Sequence, residues 1–284
     1  MSARDPAKLA YWERRSRLDT GRPYPDPAPL RPADSDLARY EDWARKFSAV
    51  RTGASFDVLM LGVTRPIAAM RWPEGTALVA VDWSRGMIER FWPAEAAPRG
   101  ASVTVADWRE MPLAAASRDM AIGDTCYAAL ATLEDCAALN AGVARALRPG
   151  AHWVLRCFLR PAEPEPPDEL VKELVAGRIG VFEIFCWRLA MALHGADGVG
   201  VRCDDVWREW HARVPDPRAL FERLGWDARI LAAIERWQGE ATRIFFPSLA
   251  EVLQLVEAAF DLVEMRYPGY EMGERCPMLV LRRR

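Results

Sequence analysis

Residues Phe56 to Asp82 read FDVLMLGVTRPIAAMRWPEGTALVAVD, and this stretch decides the fold. An apolar strand, Phe56 to Leu61, meets a turn at Gly62. A short helical segment follows, and a second apolar strand ends in Asp82. This is the outline of a βαβ unit. An acid at the end of its second strand stands where such units hold a ribose, because one carboxylate accepts hydrogen bonds from two vicinal hydroxyls. The turn itself is poor in glycine. No G-x-G-x-x-G follows any strand, which argues against a dinucleotide site.

Working outward, the same alternation continues. A helix over Gly86 to Trp92 follows Ser84, a suitable cap. Strands are expected over Ser102 to Ala106, Met120 to Gly123 and Trp153 to Phe158, with a helix over Leu133 to Leu147 stopped by Pro149-Gly150. Five short apolar strands separated by helices predict a parallel, doubly wound sheet with right-handed crossovers. Upstream lie a helix over Ala7 to Leu18, a proline-rich strap at 21–36, and a helix capped by Ser35 or Asp36 that carries Leu37, Tyr40, Trp43, Phe47 and Val50. Downstream, the acidic proline linker 160–169 reads as a spacer. Helical periodicity then runs to about Phe246. A helix capped by Ser248 and two closing strands complete the chain.

Composition sets the broad class. With 284 residues, 51% hydrophobic and 27% charged, the chain suits one large domain or one domain with an insertion. Lys+Arg 38 against Asp+Glu 40 leaves a net charge of -2. The only basic tract is Arg282 to Arg284, read as a solvated end, so no nucleic-acid partner is expected. Six cysteines lack any C-x-x-C or histidine at metal spacing, which points to a reducing cytoplasm with neither a disulfide framework nor a metal site. Neither an apolar leader nor a bilayer-length apolar run is present, so a soluble cytoplasmic protein without a membrane partner is expected.

Five parallel strands followed by a helix and two more strands, one of them antiparallel, resemble the class I S-adenosylmethionine-dependent methyltransferases. VLMLGVT matches the family's first-strand motif, and VAVD places Asp82 at its ribose acid. VADWREMP places Asp107 at the acid that meets the adenine amino group. AIGDTCYAAL places Gly123 and Asp124 at the segment beneath the methyl donor, and LRPGAHWVLRCF looks like the turn into strand five. The resemblance covers roughly 40–160 and 247–284. It implies a Rossmann-like sheet of seven strands, the last antiparallel, with a helical insertion between strands five and six. It also implies S-adenosylmethionine as cofactor.

The first turn departs from the family pattern, in a variant LGVT form. Met60 stands at the family's acid, Thr64 at the second glycine and Pro66 at the third; those glycines serve close backbone approach to the ligand. The cofactor's ammonium then needs another acceptor: a carbonyl near Gly62, the Thr64 hydroxyl, or a group from the amino-terminal segment. Arg65, Arg14 and Arg15 are candidate partners for its carboxylate. The cofactor-binding set implied by the resemblance is Gly62, Thr64, Asp82, Trp83, Met87, Asp107, Trp108, Asp124 and Thr125. Trp83 is placed to stack on adenine.

Methyl transfer by in-line displacement needs positioning and desolvation more than a dedicated base. No catalytic residue is therefore fixed; the candidates are Asp124, Tyr127, His194 and His211. The insertion carries Phe182, Phe185, Trp187, Arg188, Trp207, Trp210 and Arg243, read as an aromatic wall suited to a flat or cationic small molecule, though aromatics at helical spacing are more commonly core. The division expected is 1–48 as an amino-terminal helical lid, 49–160 with 247–284 as the cofactor domain, and 161–246 as a substrate cover. The expected function is methylation of a small-molecule acceptor. The alternative is a catalytically silent S-adenosylmethionine- or S-adenosylhomocysteine-binding protein with a regulatory or partner role. Substrate and oligomeric state are not legible.

Overall fold

The computed structural model describes residues 6–17, 27–51 and 53–284; the remainder of the expected strap, 21–26, and Leu18 lie outside them. The first half of the chain runs α1 (Pro6–Arg17), α2 (Asp34–Ala49), β1 (Phe56–Leu61), α3 (Arg65–Ala68), β2 (Thr76–Asp82), α4 (Arg85–Phe91), β3 (Ser102–Val105), β4 (Arg118–Asp124), α5 (Leu133–Ala146) and β5 (Leu147–Arg156). The second half runs α6 (Pro167–Val175), α7 (Phe182–Ala192), β6 (Val201–Arg202), α8 (Cys203–Arg213), α9 (Pro217–Leu224), α10 (Ala232–Glu235), β7 (Arg243–Ile244), α11 (Leu249–Glu257), β8 (Phe260–Arg266) and β9 (Met278–Arg283). One seven-stranded sheet has the order β3-β2-β1-β4-β5-β9-β8. The five early strands pair in parallel, and β9 inserts antiparallel to both β5 and β8.

Strand alternation divides the apolar side chains between two layers. In β1, Leu59 and Leu61 join Leu139, Val143, Val252 and Val256 under α5 and α11. Phe56, Val58 and Met60 face the other way and pack with Tyr40, Ala44 and Phe47 of α2. Met60 is fully buried there. The position matched to the acid of the first-strand motif is here a core position, so its side chain does not reach the strand ends.

A third core belongs to the helices after β5, where Phe182, Phe185, Trp210 and Phe221 pack on one another. Those aromatics form the interior of the helical segment rather than a substrate wall. The helical periodicity expected after the linker begins as two helices, α6 and α7. Gly177, at φ +68°, ends the first of them. The short β6–β7 ribbon, with Val201 opposite Ile244, is too brief to show a period in the sequence.

Several expected boundaries shift for local reasons. At α2 the cap residue is Ala33, and Asp36 serves by accepting the Ala33 amide at 2.9 Å, three residues back. Pro149-Gly150 does not end α5; Leu147 already pairs with Arg118, and the two residues sit in an irregular register at the start of β5. Ser84 and Ser248 cap as expected, the latter in a reciprocal capping box with Glu251. The acidic linker does more than space its neighbours. Glu165 pairs with both Arg188 of α7 and Arg275, pinning the linker to the final loop.

All six cysteines are free and buried. Among the described residues no helix is long and apolar enough to cross a membrane, and no group of three or more His, Cys, Asp or Glu is arranged to hold a metal ion.

Candidate active site

A cavity of about 260 Å³ lies at the carboxyl ends of β1, β2 and β4, where open α/β sheets receive ligands. Its floor is the β1 turn. Gly62 takes φ +83°, and its amide donates to the Val81 carbonyl at 2.8 Å. The Trp108 indole N–H donates to the same carbonyl at 2.6 Å, which lays the ring beside Gly62. A Cβ at Gly62 would meet that ring at 3.5 Å in a backbone conformation that L-residues avoid. The single glycine kept in the turn is the one its geometry requires.

At the end of β2, Asp82 lines the cavity and is only 8% exposed. Its Oδ1 accepts the Ser84 amide at 2.9 Å. Burial raises its pKa to about 6, opposed by the Ser84 and Trp83 amides. A carboxyl with few partners, in a cleft, is poised to take hydrogen bonds from a ligand. Trp83, Met87 and Trp108 surround it on the same wall.

Beyond β4 the chain turns through Thr125, which adopts the left-handed conformation at φ +54°. Such strain in a non-glycine residue is held only where its surroundings enforce it. Here the Thr125 amide donates to the Arg156 carbonyl at 2.7 Å. Arg156, fully buried, donates from Nε to Asp124 Oδ1 at 2.6 Å and from Nη1 to the Tyr270 hydroxyl at 3.0 Å. That hydroxyl donates to Asp36 Oδ2 at 3.0 Å. Burial pushes the Asp124 carboxyl up in pKa, against the pull of Arg156. The network binds α2, β4, β5 and the loop before β9 together, and fixes Asp124 in the cavity wall.

The roof is α1. Near its start, Lys8 Nζ donates to the Arg243 carbonyl at 2.8 Å. Further along, Glu13 accepts the Ser84 hydroxyl at 2.8 Å and the Gly86 amide at 3.1 Å. The helix thus spans the mouth from the 236–244 segment to α4. The approach is close: a Cβ on Gly86 would lie 2.6 Å from Glu13 Oε2. Arg14 pairs with Glu240, while Arg15 and Arg65 both line the cavity.

Of the nine cofactor-site candidates, Gly62, Thr64, Asp82, Trp83, Met87, Trp108, Asp124 and Thr125 line this one cavity. Asp107 does not. Its carboxylate accepts the Arg109 amide at 2.9 Å and the Arg109 side chain at 3.0 and 2.6 Å, and Arg109 also reaches Asp135. The acid after β3 is thereby taken up in capping its own turn.

Three catalytic candidates also lie outside the cavity lining. The Tyr127 hydroxyl donates to Asn140 at 2.9 Å in the core. His194 is buried against Phe245, with Nδ1 2.7 Å from the Gly195 carbonyl; burial lowers its pKa. His211 rests on Trp207 and pairs with Glu235 at 3.0 Å. Of the aromatic and basic residues expected to form a substrate wall, Trp187 and Arg243 line the cavity.

The roof residues Lys8, Tyr11 and Trp12, with Arg236 and Trp237, went unassigned in the sequence because no local period links them to the strand ends. Arg156 left one trace, a lone charge within the apolar run WVLRCF.

No protein-family profile and no curated protein sequence matches the chain. Solved structures do. The N-methyltransferase NodS from Bradyrhizobium japonicum, in complex with S-adenosylhomocysteine, shares 14% identity over 98% of each chain with a TM-score of 0.52. A Rhodobacter sphaeroides protein described as a Zn-dependent alcohol dehydrogenase shares 14% identity over 99% of this chain and 100% of its own, with a TM-score of 0.59. At such identity these likenesses speak to the fold. Together with the strand order, they give the chain the seven-stranded fold of the class I S-adenosylmethionine-dependent methyltransferases.

Proposed function

We propose that this protein binds S-adenosylmethionine in the cavity beneath α1 and catalyses methyl transfer to a small-molecule acceptor. The observation that carries the reading is Asp82: a buried, cavity-lining carboxylate at the end of β2, in the position that takes a ribose, walled by Trp83, Met87 and Trp108. The sulfonium cofactor, when bound, supplies an electrophilic methyl group and leaves as a neutral thioether. This chain's residues supply the rest. Asp82 accepts the ribose hydroxyls, and Trp83 or Trp108 covers the adenine. With Met60 turned into the core, the cofactor's ammonium falls to Asp124 and its carboxylate to Arg65 or Arg15. The roof formed by α1 excludes water, which strengthens these contacts and strips the nucleophile of its hydration.

Among the described residues no histidine lines the cavity, and of its two carboxylates Asp124 is paired with Arg156 and Asp82 stands at the proposed ribose position, which favours a nucleophile that reacts without a dedicated protein base. The test is transfer of label from methyl-tritiated S-adenosylmethionine into a small-molecule extract, followed by size fractionation. The expected result is label in the small-molecule fraction, lost in Asp82→Ala. Cofactor binding without any transfer would favour the silent, repurposed alternative; label in protein or RNA would reassign the acceptor.

A further inference from the structure

The cavity lies between two of the molecule's cores. Leu61 and Trp108 line it from the core under α5 and α11. Tyr11, Phe158, Trp237 and Ile244 line it from the helical core, with Trp12 and Trp187 packed against them. All but Ile244 of that second group are aromatic. At the other end, Trp108 and Asp82 both stand within 4 Å of where a Gly62 Cβ would lie, so the adenine and ribose positions adjoin each other there. The rings of the helical core are left for the second reactant.

Those rings are held before any ligand arrives. Trp187 packs on Phe158 with centroids 5.1 Å apart and meets Phe246 edge-on at 5.2 Å. Tyr11 meets Trp12 edge-on at 5.4 Å. A wall fixed in advance loses little freedom on binding.

An aromatic wall can take a flat ring or, on a ring face, a cation. Two contacts decide between them. The Arg15 guanidinium lies over the Trp12 ring, 5.5 Å from its centroid, and the Arg156 guanidinium lies over Phe158 at 5.7 Å. A ring with a guanidinium on its face already has its electron-rich surface occupied, and a second cation would meet the first at short range. A neutral ring meets no such opposition, since offset and edge-to-face packing stay open to it.

Resting on the methyltransferase reading, we infer that the acceptor is a neutral, planar aromatic molecule, seated against Trp187 and Phe158 beneath Tyr11 and Trp12.

The experiment is calorimetric titration of the full chain, saturated with S-adenosylhomocysteine, with three probes of one skeleton: 2-naphthol, decahydro-2-naphthol and 2-naphthylmethylamine. The first is flat and neutral, the second apolar but saturated, the third flat but cationic. The expected result is that 2-naphthol binds at least tenfold tighter than either of the others. Trp187→Leu should weaken 2-naphthol at least fivefold and change decahydro-2-naphthol less than twofold, while Trp187→Phe should keep most of the 2-naphthol affinity. Retained S-adenosylhomocysteine binding in both variants shows that the fold is intact. Arg15→Gln should narrow the gap between 2-naphthol and the amine. Equal or better binding of the amine, equal binding of the saturated alcohol, or 2-naphthol binding indifferent to Trp187→Leu would overturn the inference. A 2-naphthol preference in a protein that binds neither S-adenosylhomocysteine nor S-adenosylmethionine would instead sink the methyltransferase reading and leave the aromatic site standing.

Discussion

Glu13 of α1 accepts the Ser84 hydroxyl at 2.8 Å, two residues beyond the buried acid Asp82. The bond joins the roof to the turn that follows Asp82, so closing the cavity and shaping its β2 wall are one event. Ser84 also accepts the Met87 amide at 3.1 Å as the cap of α4, which holds its hydroxyl in place. Glu13→Gln keeps the size but weakens a charge-assisted bond. The expected outcome is faster amide exchange across 6–17 and a several-fold faster release of S-adenosylhomocysteine, by stopped flow, with the melting temperature little changed. Gly86→Ala should show the same release phenotype more strongly, because the added methyl collides with Glu13.

Asp82 gives a pH signature. Its folded pKa of about 6 stands above the ordinary 3.8, so its contribution to stability is present below pH 4 and lost as pH rises through 6. A rise of that size corresponds to about 3 kcal/mol at neutral pH. Asp82→Asn should therefore melt higher than the parent at pH 7.5, with the gap closing toward pH 4. Ligand hydroxyls favour the ionised carboxyl, so S-adenosylhomocysteine affinity should fall as pH drops below 6, and Asp82→Asn should lose that dependence. Parallel melting curves for the two proteins across this range would contradict the assignment.

Arg156 is the counter-ion without which Asp124 cannot stay charged in the wall. Arg156→Met leaves a buried carboxylate unpaired, a change that typically costs about 3–5 kcal/mol. Chemical denaturation should show a loss of that order at pH 7. Arg156→Met with Asp124→Asn should recover part of it, since the stranded charge is then gone. A double variant no better than the single one would mean that Arg156 acts chiefly through Tyr270 and Asp36.

Asp107 tests where the family pattern stops applying. Its carboxylate is committed to Arg109 and to the turn after β3. Asp107→Asn should cost about 1 kcal/mol of stability through the weakened cap and ion pair. S-adenosylhomocysteine affinity should remain within about twofold. A tenfold loss of affinity with unchanged stability would return Asp107 to the adenine site.

The sheet was legible because its strands are short apolar runs that end in polar residues, and the strand ends read from sequence fall within two residues of those observed. Gly62, Asp82 and Asp124 were found for that reason. What the chain does not advertise is which partner takes each polar group. Asp107 looks identical to Asp82 as an acid before tryptophan, yet an arginine two residues on captures one carboxylate and leaves the other to the cavity. Tyr127, His194 and His211 have the right chemistry but were drawn into core or surface pairings by contacts distant in sequence. The amino-terminal lid was expected, but the partners on which it rests were hidden for the same reason. Lys8 meets Arg243 across 235 positions, and no periodicity records that meeting.

Equilibrium titration of the purified protein with S-adenosylhomocysteine, beside Asp82→Ala, tests the central claim most directly. The account predicts one site of micromolar affinity in the parent protein, at pH 7.5, and at least a tenfold loss in the variant. Millimolar S-adenosylhomocysteine and S-adenosylmethionine that both give no heat of binding would contradict it.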